Sequence, residues 1–214
     1  MIRNNKHDLI VSSIVILLPM LFGLFFWNRL PEEVAIHWGI DGNADGWSGR
    51  AFAVFATPLF ILAAHWLCIF CTVKDPKNKD QNDKVMGMVL WIAPICSMLA
   101  GGLIYTSAFG LRVNAASYAF PIMGLAFVII GNYLPKCKQN STIGIRVKWA
   151  MEDEENWNAT HRFGGRFWVI CGLMIMSFIF LPAAAIPWIS LFAVIPLTGV
   201  PIAYSYLYYK KHLK

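Results

Sequence analysis

The chain has 214 residues, of which 57% are hydrophobic and only 14% charged. Ordinary soluble domains carry about 25% charged residues, so this composition excludes a water-soluble globule and places the chain among membrane proteins. The net charge of +6 then reflects basic residues stationed beside a membrane, not attraction to acidic partners or nucleic acid.

A membrane span needs about 20 apolar residues, so charge-free intervals are counted along the chain. The first, Leu9–Trp27, follows Arg3 and Lys6 in the manner of a signal sequence. It is too long for such a segment and lacks a small-residue cleavage site, so it reads as a span that also directs insertion. Further spans are expected at about 52–73, 85–109, 113–134, 163–181 and 188–209. The last two share 43 uncharged residues between Arg166 and Lys210, divided at an Ala-rich turn between Pro182 and Pro187. The expected fold class is therefore all-α, one polytopic membrane domain over 1–214 with six transmembrane helices and a short interfacial helix.

Orientation follows from the loops. With the N-terminus inside, 15 of the 18 basic residues fall on the inner side, leaving Arg29, Arg50 and Arg112 outside. Lysine and arginine favour the cytoplasmic side, so the expectation is a cell-membrane protein with both termini cytoplasmic, an outside loop at 28–50 and an inside loop at 135–166. The connection Lys74–Lys84 reads as a featureless lysine anchor. Four of the five cysteines (Cys68, Cys71, Cys96 and Cys171) lie in apolar runs and Cys137 lies in the inner loop, which is not the layout of a disulfide framework.

Ionisable residues inside spans mark pumps and transporters. No Asp, Glu, Lys or Arg falls within an expected span, which argues against ion coupling. His65 is the one histidine at depth and reads as hydrogen-bonded to a neighbouring helix.

The outer loop spaces His37, Asp41 and Asp45 four apart, but Gly39, Gly42 and Gly46 interrupt it, favouring a turn-rich loop over a helix. These three side chains are weak candidates for a divalent metal; otherwise they satisfy local backbone amides. Pro31, Trp38 and Trp47 complete a candidate recognition surface. In the inner loop, Asn140, Gly144, Arg146 and Trp149 cluster. A short helix is expected at 152–163, with Glu154, Glu155, Asn158, Thr160 and His161 on a polar face, and with Ala150, Trp157 and Phe163 on the membrane. Gly164 and Gly165 are expected to break it before the fifth span. Glu154 and Glu155 beside His161 suggest an acid/base pair or metal site, but the spacing matches no H-E-x-x-H motif. No cofactor is expected.

The segment GNYLPKCKQNSTIGIRVKW, with the later THRFGG, resembles the signature of the SdpI family of bacterial immunity proteins. LPEEVAIHWGIDGNADGW resembles the short domain that often precedes it. The corresponding positions are Asn132, Pro135, Asn140, Gly144, Ile145, Arg146, Trp149, Trp157, Arg162 and Gly165. One departure is Val147–Lys148, where the family commonly has Thr-Pro. The resemblance implies six spans and resistance to a secreted membrane-active peptide toxin. It also implies sensing, through a cytoplasmic transcriptional repressor held at the membrane. The alternatives are a membrane-embedded metal-dependent enzyme, or an uncoupled transporter or structural membrane module.

Overall fold

The computed structural model describes residues 2–39, 42–111, 114–181 and 186–212. Asp41, Arg112 and Pro182 lie outside these, so the expectations resting on them are not addressed. In order, the elements are α1 (Ile2–Phe25), β1 (Glu33–Trp38), β2 (Ala44–Gly49), α2 (Arg50–Lys74), α3 (Asp83–Ala108), α4 (Ala115–Tyr133), α5 (Lys148–Glu152), α6 (Glu154–Met176) and α7 (Ile186–His212). Among the described residues four stretches are long and apolar enough to cross a membrane: Lys6–Phe25, Arg50–Lys74, Asp83–Ala108 and Tyr118–Lys136. Their outward faces carry large apolar side chains, such as Phe25 at 83% and Phe60 at 76% exposure. Water penalises such a surface, whereas lipid tails accept it.

The chain divides into two compact units: residues 1–71 with 87–115, and residues 72–86 with 116–214. In the first, Pro19 interrupts the hydrogen-bond ladder of α1. Carbonyls near the break are taken up from α3, where Ser97 Oγ donates to Ile16 O at 2.7 Å and Tyr105 Oη to Pro19 O at 2.6 Å. Neighbouring helices commonly satisfy backbone groups near a proline in this way. Ser12 Oγ and His65 Nε2 lie 3.1 Å apart, tying α1 to α2. His65 is thus the interhelical histidine expected from the sequence.

Residues 28–50 are not merely a turn-rich loop. β1 and β2 form an antiparallel hairpin, paired from Glu33 with Gly49 to Trp38 with Ala44 and irregular around His37. The β-branched and aromatic residues of EVAIHW favour a strand. Gly42 adopts a φ of 79° in the connection, a conformation glycine reaches without steric cost. The hairpin rests on helix ends: Leu30 and Val34 pack with Ala53, Val54, Ile104 and Tyr105. Arg50 locks its base, lying 5.2 Å from the Trp27 ring and donating to the Trp27 and Leu30 carbonyls.

In the second unit α4 and α6 meet through two glycine pairs. A Cβ added at Gly124 would lie 2.5 Å from Gly172 O, and one at Gly131 would lie 2.6 Å from Gly165 O. Each pair is seven residues apart along its helix, two turns, so both contacts fall on one face. Cys171, Ile175, Phe178 and Leu197 continue this interface, with Phe127 and Trp168 against them. The expected break at Gly164 and Gly165 does not occur, because α6 runs unbroken through both. Their role is close helix approach, as small residues allow in membrane bundles.

Candidate functional site

The second unit holds a polar assembly built from two connections. Within the first, Pro76–Asn78 forms a single 3-10 turn, which places Asp75, Asn78 and Gln81 along one side. Asp75 Oδ1 accepts from Lys77 N at 3.0 Å, and its Oδ2 accepts from Ser141 N at 2.7 Å. Asn78 Nδ2 donates to Thr72 O and to Thr142 Oγ1. Gln81 pairs with the backbone of Lys138, donating to its carbonyl at 3.1 Å and accepting from its amide at 2.9 Å. Lys74–Lys84 is therefore not a featureless anchor. Three of its polar side chains, Asp75, Asn78 and Gln81, are buried and clamp the loop at 137–142.

That loop is organised by Asn140, which is 1% exposed. Its Oδ1 accepts from the amides of Thr142 and Ile143, an Asx turn. Its Nδ2 donates to the Lys138 and Ile143 carbonyls. The amide's hydrogen-bonding capacity is thus used on both ends. Gly144 follows with a φ of 112°, and a Cβ there would collide with the His161 imidazole. Glycine is required twice over at this position, by conformation and by space.

His161 latches the turn from α6. Its Nδ1 lies 2.8 Å from Trp157 O, and Ile145 N–H donates to its Nε2 at 3.0 Å. A carbonyl only accepts, so the ring is the neutral tautomer with its proton on Nδ1. Burial, opposed by the hydrogen bond to Trp157 O, pushes its pKa down to about 4. The ring stacks on Trp157 with centroids 4.0 Å apart. The buried Trp157 indole donates to Cys137 O at 2.8 Å. Cys137 is also buried, which raises its thiol to about 11 despite hydrogen bonds from Asn140 and Gln81. Such a thiol stays protonated and unreactive at neutral pH.

Several expectations are corrected here. Trp157 and Ala150 do not face the membrane, since both are fully buried with Val85 and Cys137. Thr160 and His161 do not belong to an open polar face. Glu154 and Glu155 are exposed at the start of α6, whereas His161 is buried with both nitrogens occupied. The suggested acid/base cluster therefore does not assemble. Asn156 and Thr160 instead join Ser205: Asn156 Oδ1 accepts both hydroxyls at 2.9 Å, fastening α6 to α7.

The remaining signature positions surround this centre. Pro135 packs against Gly165, and the Ile145 side chain meets Gly164. Arg146 is exposed, its guanidinium donating to Ser141 O at 2.6 Å. Trp149 lies against Tyr206, and its buried indole N–H has no acceptor among the described residues. Asn132 and Arg162 are exposed. Asp75, Asn78 and Gln81 were legible only as a three-residue spacing inside a lysine run, a weak signal.

On the hairpin, His37 Nδ1 and Asp45 Oδ1 meet at 2.5 Å. Among the described residues no three His, Cys, Asp or Glu side chains converge. Trp38 packs on the core beneath the hairpin, and Trp47 is 57% exposed. Pro31 is exposed and Gly42 buried.

Apolar helices, a hairpin seated on helix ends and loops clamped by buried amides define a membrane protein whose polar side chains hold backbone in place. Residues 136–205 match the SdpI/YfhL protein family, and residues 14–62 match a domain of unknown function, DUF1648. The chain is similar to the immunity protein SdpI of Bacillus subtilis (strain 168), 28% identical over 206 residues that cover 94% of this chain and 96% of that one. No solved structure matches this chain.

Proposed function

We propose that this chain is a membrane immunity protein that protects its cell from a secreted, membrane-active peptide toxin. The observation that carries the reading is its likeness to SdpI over 94% of its length. The site supports a non-enzymatic role: its histidine and cysteine are buried, hydrogen-bonded and held in unreactive protonation states. The chain crosses the membrane six times with both termini in the cytoplasm. The hairpin then faces outward, where a toxin arrives, and the Asn140–Trp149 turn faces inward.

Toxin binding at the hairpin and adjoining helix ends biases the helices toward one arrangement. The inner turn reports it through the exposed Ser141–Arg146 edge, the surface available to hold a repressor. Expression in a toxin-sensitive bacterial strain, followed by challenge with the cognate peptide, tests the immunity role. Survival is expected from the intact chain and loss of survival from Gly144→Val. Unchanged killing at confirmed membrane expression would sink the proposal.

A further inference from the structure

The clamp joining residues 75–81 to residues 137–142 has a consequence for charge. Segments 74–84 and 136–148 together carry eight Lys and Arg against three Asp. One of those carboxylates, Asp75, is buried and occupied by the Lys77 and Ser141 amides. Asp80 and Asp83 are exposed, and among the described residues neither is ion-paired with Lys77, Lys79, Lys138 or Arg146. The hydrogen bonds that fasten the loops bring Lys77, Lys138 and Arg146 to one exposed border, and exposed Lys79 follows Lys77 by two residues. Asp75 binds the amides of Lys77 and Ser141, Ser141 O accepts Arg146, and Gln81 grips Lys138. Like charges held together on a rigid frame repel one another unless an anion joins them.

The border lies at the membrane edge. α2 ends at Lys74, α3 begins at Asp83 and the span through α4 ends at Lys136, so Lys77, Lys79 and Lys138 stand within five residues of the end of a candidate span, and Arg146 is tied back to that loop by its bond to Ser141 O. Lys136 lies 4.8 Å from the Tyr133 ring, a lysine–aromatic pair typical of the interface. Buried Asn78, Gln81 and Asn140 hold the loops' shape before any ligand arrives, which lowers the ordering cost of binding.

We propose that Lys77, Lys79, Lys138 and Arg146 form a binding site for the phosphate headgroup of an anionic phospholipid in the adjacent leaflet. A lipid phosphate is already at this depth, whereas a free phosphate or an acidic protein must be recruited from solution. The guanidinium of Arg146 suits bidentate phosphate contact, and the lysines add point charges. The site shares Arg146 with the edge proposed above for a repressor, but lipid binding does not require the immunity role.

The test uses the purified full-length chain in detergent, titrated with phosphatidylglycerol, phosphatidylcholine, inorganic phosphate or an oligoglutamate peptide and read by native mass spectrometry. Phosphatidylglycerol is expected to be retained over phosphatidylcholine by about tenfold or more, given what each basic residue contributes near an anionic surface. That preference should shrink as salt screens the charges. The variant K77Q/K79Q/K138Q/R146Q should lose it, and K77R/K79R/K138R/R146K should keep it. If the quadruple glutamine variant does not fold, K77Q/K79Q, which keeps the Arg146–Ser141 hydrogen bond, should lower the preference by itself. Equal retention of the two lipids would overturn the site. So would tighter binding of oligoglutamate, which would make the border a protein surface, or of free phosphate, which would remove the need for a lipid.

Discussion

At the residue scale, the turn at 140–146 depends on a neutral imidazole. Unfolded, His161 titrates near 6.5; folded, burial lowers it to about 4. Between those values the unfolded chain holds the extra proton. The stability present above pH 6.5 therefore declines as the pH falls toward 4, by roughly 3 kcal/mol in all. Thermal unfolding in detergent should show the intact chain losing stability from pH 7 to pH 5, and His161→Gln starting lower with a flatter profile. Equal slopes for the two proteins would refute the latch.

Two tryptophans offer a contrast. Trp157→Phe orphans the buried Cys137 carbonyl, at a cost of about 1–3 kcal/mol. Trp149→Phe removes an indole N–H that has no acceptor among the described residues, so denaturation curves should place it within about 0.5 kcal/mol of the parent. A larger loss for Trp149→Phe than for Trp157→Phe would contradict the hydrogen-bond assignment.

At the scale of elements, the close crossing of α4 and α6 is set by what is missing from four side-chain positions. Gly165→Val would push branched carbons against Gly131 O and the Pro135 ring. Overpacking of this kind costs about 1–3 kcal/mol, and here it meets backbone, which yields less than a side chain. The expected result is a lower melting temperature, with Gly102→Val as control, since nothing lies within 4 Å of a Cβ there. Equal effects at the two positions would argue against the crossing. The same contact explains why α6 continues through Gly164 and Gly165: a glycine pair ends a helix in water far more readily than one packed against a neighbouring backbone. Likewise the hairpin forms because Val34 and Leu30 find a floor of helix ends to cover.

At the scale of the whole molecule, the two matched segments fall in different units: residues 14–62 in the first and 136–205 in the second. The hairpin and the Asn140 turn, the surfaces proposed above for toxin contact and inner readout, therefore fall in different units, and the proposed topology predicts outside access to the first and inside access to the second. Single cysteines at Trp47 and Ser141, both exposed, provide the check in intact cells. A membrane-impermeant maleimide should label position 47 and leave 141 unlabelled until the membrane is opened. Labelling of position 141 from outside would overturn the orientation.

The sequence by itself determined the membrane class, through long intervals without charge. It also carried the resemblance to the SdpI family, through the spacing of Asn140, Gly144, Arg146 and Trp149. Hydrophobic length and basic-residue bias are local sums, and local sums are readable along a chain. Tertiary structure decided the rest. Asp75, Asn78 and Gln81 are ordinary loop residues until they meet a partner loop some 60 positions later. His161 looked available for chemistry until Ile145 and Trp157 occupied both its nitrogens. Gly165 looked like a helix stop until Gly131 was found against it. In each case the role comes from a neighbour distant in sequence, and burial turns a polar or missing side chain into a fixed contact.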